Sequence, residues 1–233
     1  MSLASLELSQ VLYDDSSYFS LAMALITLSP ILLMASYAAL AVFMREITVI
    51  NMWAGQFFCE AFNLVIKRMV KQGRPAGSVA NGYGFPSSHS QYMGYFATFL
   101  ILHLHFRHKF GLRDSSESIL FRALAYIVLI AWASIVAYSR YHLSYHSVSQ
   151  ILWGVCIGVS FSICFYLVTE LIPTRRPNSL FGKVRTYILR NPISQWLRIR
   201  DGWAVWQDGG WEDQWQLWDR LWIRRTKPAL HTS

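Results

Sequence analysis

Five apolar runs dominate this chain, near residues 19–44, 50–66, 90–106, 119–138 and 147–172. A helix needs about 20 mostly apolar residues to cross a bilayer, with a range of about 17 to 25. The first, fourth and fifth runs meet that length. The second carries Gln56, Glu60 and Asn63, and the third ends in His103 and His105, so each is weaker as an isolated span. Both still suit inward-facing helices of a bundle, whose neighbours can pair their polar side chains. The expectation is an all-α, polytopic membrane helix bundle of five transmembrane helices, with four as the fallback.

Composition agrees with lipid as the solvent: 54% of residues are hydrophobic and 15% charged, against roughly 25% charged in a soluble domain. The net charge of +8 suits either nucleic acid or phosphates and anionic surfaces. The basic residues sit at the ends of apolar segments and form no continuous run, which argues against nucleic acid. Cys59, Cys156 and Cys164 all lie in apolar stretches without zinc-site spacing, so they read as buried thiols. Residues 1–18 contain no Lys or Arg, unlike the start of a signal peptide, so the first run reads as retained.

Loop charges set an orientation. The acidic N-terminal segment, residues 1–18, should face the lumen. Arg45, the loop with Arg107, Lys109 and Arg113, and the tail beyond Pro173 are basic and should be cytosolic. Five spans then place the loops around residues 67–89 and 139–146 together on the lumenal side. Lys67, Arg68, Lys71, Arg74 and Arg140 break the rule there, so something other than topology placed them. Residues 19–172 read as the membrane core and 173–233 as a cytosolic tail. That tail holds 11 Lys or Arg and seven of the ten tryptophans. Trp211, Trp215, Trp218 and Trp222 fall on one helical face, which predicts an interfacial helix near 211–225.

Three polar pieces interrupt the apolar pattern. They are Lys67 followed by six residues and Arg74-Pro75; then Pro86-Ser87-Ser88-His89; then Ser139-Arg140 followed by five residues and His146. Taken singly, each has an ordinary reading: a snorkelling cation, a helix start, a hydrogen-bonding histidine. Taken together on one membrane face, they supply what a phosphate ester needs. Lys and Arg neutralise oxyanions, small residues opening a helix present backbone N–H groups to an anion, and histidine attacks phosphorus or moves protons near neutral pH. His142 and His146 also have the i, i+4 spacing of metal ligands on a helix, but no carboxylate lies nearby in sequence.

These pieces resemble the signature K-x6-RP, PSGH and SR-x5-H-x3-D of the type 2 phosphatidic acid phosphatase superfamily, across residues 67–150. The resemblance implies a helical, membrane-embedded phosphatase that uses no metal and no cofactor. It further implies that Lys67, Arg74 and Arg140 hold phosphate oxygens with help from Ser87 and Ser88. His146 would be the nucleophile, forming a phosphohistidine, and His89 the general acid and base. Two positions depart from the signature: Ser88 stands in place of Gly, and Gln150 in place of Asp. A Gln carbonyl can orient the imidazole but cannot stabilise imidazolium with a full charge, which favours a substrate with a good leaving group. A diphosphate has one. PSSHSQ and YHSVSQ are similar to the dolichyl diphosphatase branch of the superfamily, where Gln at this place is usual. That likeness implies dolichyl diphosphate and membrane lipid as partners, with no nucleic acid and no obligate protein partner. It also implies a multi-pass protein of the endoplasmic reticulum whose site faces the lumen. A broader lipid phosphatase, or a non-catalytic lipid-binding subunit with an eroded site, are the alternatives.

Overall fold

The computed structural model describes residues 3–6, 11–14, 17–78, 82–110 and 116–226. Parts of the expected lumenal N-terminus, the middle of the 76–83 segment, and Arg113 lie outside these residues. A short antiparallel hairpin, β1 (Leu3–Leu6) with β2 (Val11–Asp14), precedes an otherwise helical chain. Ser17 caps α1 (Tyr18–Ile26), and Ser29-Pro30 opens α2 (Ser29–Met44). Three long helices follow: α3 (Ile47–Val70), α4 (Ser88–Phe106) and α5 (Ser116–His142). Then α6 (Val148–Tyr166) runs through a π-turn at Leu167–Leu171 into α7 (Ile172–Arg175).

Among the described residues, four stretches are long and apolar enough to cross a membrane: Tyr18–Met44, Ile47–Val70, Glu117–His142 and Val148–Arg175. The fifth expected crossing, α4, is a helix of 19 residues in the middle of the bundle. It packs along α6 above all, and against α5 and α3. Its composition falls short because its surroundings are protein rather than lipid. Ser90 and Gln91 are buried beside Tyr92, Met93, Tyr95, Phe96 and Phe99, and their polar groups find partners on neighbouring helices or within the cap. The outer helices do the reverse, exposing Phe43, Phe57, Ile127 and Trp153. Of the three cysteines only Cys59 is buried. Cys156 and Cys164 lie on the outward side of α6, where a thiol in lipid is as apolar as one in a core.

Close contact between α4 and α6 depends on small residues, as helix pairs in lipid generally do. A Cβ at position 154 would come within 2.7 Å of the Ser87 carbonyl, and one at position 94 within 2.9 Å of the Val155 carbonyl. This seam brings the starts of α4 and α6 together, and the Ser87 N–H donates to the Gln150 carbonyl at 3.1 Å.

At the opposite end the tail folds back on the bundle through α8 (Leu180–Arg190), α9 (Pro192–Trp196) and α10 (Gly202–Val205), then continues into α11 (Trp211–Thr226). Four charges hold it, three of them buried and Asp201 half-buried. Arg107 pairs with Glu170 and, at 2.7 Å, with Asp201; Arg185 pairs with the same two acids at 3.2 and 2.8 Å. Thr48 and Asn51 also donate to Glu170. Every carboxylate oxygen in the cluster is satisfied, which is the condition for burying it. His103 and His108 meet the tail: the His103 ring lies edge-on to Trp203, whose indole N–H reaches His108 at 3.2 Å. None of the described side chains of α11 is buried.

Candidate active site

Local sequence explains how the polar pieces are presented. Ser147 begins α6 with a capping box: its hydroxyl accepts from the Gln150 N–H, and Gln150 Oε1 reaches back to the Ser147 N–H. This S-x-x-Q pattern leaves His146 just outside the helix and turns the Gln150 amide towards it. Ser87 caps α4 in the same manner, with its hydroxyl accepting from the Ser90 N–H and the Ser90 hydroxyl. Ser88 and His89 then follow on the first turn.

The loop after α3 closes over these two helix starts. The Gly84 N–H donates to the Gln72 carbonyl at 2.8 Å, and the Gly84 carbonyl faces His146 Nδ1 at 2.9 Å. Gln150 Oε1 lies at 3.3 Å from the same nitrogen, while Gln150 Nε2 donates to the Gly73 carbonyl at 2.9 Å. Two acceptors therefore hold one ring nitrogen, so Nδ1 carries the proton and Nε2 presents a lone pair. On that free side stands Arg74, whose Nη1 lies 3.3 Å from Nε2 and donates to the Tyr145 carbonyl at 2.9 Å. Burial, then Arg74 and Arg140, push His146 down to about 3. The ring is neutral at physiological pH.

The other cations converge on the same place. Lys67 donates to the Ser88 hydroxyl at 2.5 Å, which in turn donates to Asn63. Asn63 continues to Gln91, and Gln91 to the Cys59 carbonyl. Arg140 lies over the Tyr145 ring, 4.1 Å from its centroid, and donates to Thr27, which is joined to Ser139 at 2.7 Å. Lys67, Arg74, Arg140 and His146 are all near enough to act electrostatically on His89. Beside His89 and Ser88 a cavity of about 330 Å³ opens between α2, α3 and α4, walled by Pro30, Ile31, Met34, Phe57 and Tyr92. Residues expected from the three sequence pieces thus gather at one end of the bundle, except that Ser87 is fully buried with its hydroxyl committed to the cap. His142 ends α5 with its ring against Phe19, so it shares no helix with His146 and the i, i+4 metal geometry does not arise.

Asn63, Gly84, Thr27 and Tyr145 were not singled out from the sequence. The 147–150 capping box carried a local signal and Tyr145 adjoins His146, whereas Asn63, Gly84 and Thr27 reach their partners across long sequence separations. Gly84 is required for space: a Cβ there would sit 2.8 Å from Gln150 Oε1 and 3.1 Å from the Arg74 Cα.

Residues 48–172 match the PAP2 superfamily. The chain belongs to the PAP2 superfamily. Dolichyldiphosphatase 1 of Dictyostelium discoideum is 34% identical over 85% of this chain and 83% of its own length. Dolichyldiphosphatase 1 of Homo sapiens is 32% identical over 77% and 74%. In fold, the chain resembles a transmembrane PAP2 type phosphatidylglycerolphosphate phosphatase from Bacillus subtilis, with a TM-score of 0.51 and 19% identity, over 64% of this chain and 75% of that one. With its PAP2 membership, its dolichyldiphosphatase relatives and four membrane-capable helices among the described residues, the chain is a multi-pass membrane lipid phosphatase.

Proposed function

We propose that this phosphatase removes the terminal phosphate of dolichyl diphosphate through a phosphohistidine on His146. The observation carrying the reading is the His146 ring, held at Nδ1 by Gly84 and Gln150 with its neutral Nε2 beside Arg74. In the first step the Nε2 lone pair attacks the terminal phosphorus, and the bond to the bridging oxygen breaks. His89 gives its proton to that oxygen, and dolichyl phosphate leaves. In the second step His89 takes a proton from water, the hydroxide oxygen bonds to phosphorus, and the P–N bond breaks to release phosphate and free Nε2. Lys67, Arg74 and Arg140 hold the non-bridging oxygens, aided by Ser88, and neutralise the charge that grows on them. Ser87 contributes by starting α4 at the right place.

With an uncharged Gln150 behind the nucleophile, a substrate with a good leaving group is favoured, and the dolichyldiphosphatase relatives agree with a diphosphate. The cavity beside His89 gives the lipid chain a path into the bilayer. Three fixed cations supply the charge neutralisation, so the proposed reaction needs no metal. Those relatives and the basic loops support an endoplasmic reticulum membrane protein whose site faces the lumen and which returns the lipid carrier used in protein glycosylation. The test is phosphate release by the detergent-purified chain on dolichyl diphosphate, dolichyl phosphate and phosphatidate, with and without chelator. Preference for the diphosphate, unchanged by chelator, is expected. Equal rates on phosphatidate would replace the reading with a broad lipid phosphatase, and no release from any would end it.

A further inference from the structure

The end of the bundle away from His146 carries a second concentration of positive charge. Along α3 the two ends are about 36 Å apart, from 24 residues at roughly 1.5 Å each. There a cavity of about 600 Å³ is lined by Arg45, Arg198 and Arg200, with Phe43, Met44 and Trp211 among its other walls. Arg200 is offset by Glu46 at 2.7 Å. Among the described residues no acid pairs with Arg45 or Arg198. The acids of the first turn of α11, Glu212 and Asp213, line a different cleft with Lys109. Arg45 and Arg198 both hold positive φ, 54° and 55°, a conformation that costs a residue with a Cβ some free energy.

A second cavity, about 560 Å³, shares Arg45 with the first and is otherwise apolar, lined by Ala41, Ile50, Trp53, Trp196 and Leu197 among others. A cationic chamber and an apolar cleft that meet at the Arg45 side chain, at the edge of the membrane span, have the form of a lipid site: a charged head at one end and a chain at the other. Arginine forks suit phosphate oxygens, whereas a free anion would have no use for the cleft. We infer that these two cavities together bind one anionic glycerophospholipid of the bilayer, with its phosphate on Arg45, Arg198 and Arg200 and an acyl chain against Ala41, Trp53 and Leu197. The site is separate from the phosphatase centre and independent of the proposed reaction.

Phosphatidylglycerol is a suitable probe, because its phosphodiester is not a phosphatase substrate. The full chain, purified in detergent, is mixed with phosphatidylglycerol, with phosphatidylcholine of the same acyl chains, or with inorganic phosphate, and bound adducts are read by native mass spectrometry. One retained phosphatidylglycerol is expected, with neither of the others held. Arg45→Asn with Arg198→Asn keeps residues that tolerate the left-handed backbone. It should weaken retention by at least about tenfold, since each charge-assisted hydrogen bond exceeds that factor, and phosphate release should be unchanged. Ala41→Phe, which fills the cleft and keeps every arginine, should also weaken it, and provides the test should the double variant fail to fold. Equal retention of phosphatidylcholine, equal retention of inorganic phosphate, or phosphatidylglycerol binding unaffected by Ala41→Phe would each overturn the assignment.

Discussion

Removing the Gln150 side chain tests what holds the proposed nucleophile. Gln150→Ala deletes three contacts: Oε1 to His146 Nδ1 at 3.3 Å, Nε2 to the Gly73 carbonyl at 2.9 Å, and Oε1 to the Ser147 N–H at 3.4 Å. The first and third are at or beyond the long end of the hydrogen-bond range. The second reaches an exposed glycine whose carbonyl water can serve, so its loss costs about 0.5–1.5 kcal/mol. The Gly84 carbonyl remains at 2.9 Å from Nδ1, and the tautomer survives. Summed, about 1–2 kcal/mol is at stake, or a fall of roughly 5–30-fold in kcat on dolichyl diphosphate, with KM little changed. Loss of the correct tautomer would instead cost about 10⁴-fold. The assay is steady-state phosphate release with Tm measured alongside. A folded Gln150→Ala losing about 10³-fold or more would refute the reasoning and make Gln150 the group that orients the ring. Gly84→Ala should be the more damaging change, because its Cβ would displace Gln150 and Arg74 together. Gln150→Asp should stay active and gain on monophosphates relative to the diphosphate.

His146→Ala should abolish turnover and any acid-labile phosphoenzyme; substantial activity in a folded variant would remove His146 from its proposed role. His146 sits at about 3 in the folded chain and near 6.5 when unfolded. Its contribution to stability is therefore whole above pH 6.5 and lost as pH falls towards 3. Wild-type Tm should drop more steeply than that of His146→Gln between about pH 6.5 and 4, and parallel curves would contradict this. Glu170→Gln leaves Arg107 and Arg185 sharing only Asp201, which should cost about 3–5 kcal/mol and expose residues 176–201 to protease first; unchanged Tm and protection would count against the clamp. A glycosylation acceptor placed in residues 1–18 or 76–83 should be modified and one in the tail should not, with a modified tail reversing the proposed topology.

The bundle was legible because apolar run length reports directly on lipid crossing. The weakest run, residues 90–106, became the central helix for the reason that made it weak: Gln91 and His103 lower its hydropathy, and a buried helix can carry them. Of the proposed site, Lys67, Arg74, Ser88, His89, Arg140 and His146 stood out by spacing, since each polar piece lies next to a helix end, whereas Gln150 was marked only by the family resemblance. Gly84, Asn63 and Thr27 did not stand out. Their partners are 62, 25 and 113 residues away; Asn63 shares a helical stripe with Gln56, Glu60 and Lys67, but nothing local marks Gly84 or Thr27. The tail was the least legible part. Arg185 and Asp201 look like ordinary surface charges in sequence, and only folding shows that they close over Arg107 and Glu170.

Glu46 gives the order of synthesis a role in maturation. Its carboxyl is 1% exposed, and its raised affinity for a proton comes from burial, opposed by the Gly202 N–H and Arg200. Both partners are translated more than 150 residues after it. While the membrane helices are already being inserted, this carboxylate has to stay in water at the membrane edge, and it can be enclosed only after residues 200–202 have left the ribosome. A chain that stops before that point lacks both partners and leaves the Glu46 carboxylate open between its second and third helices.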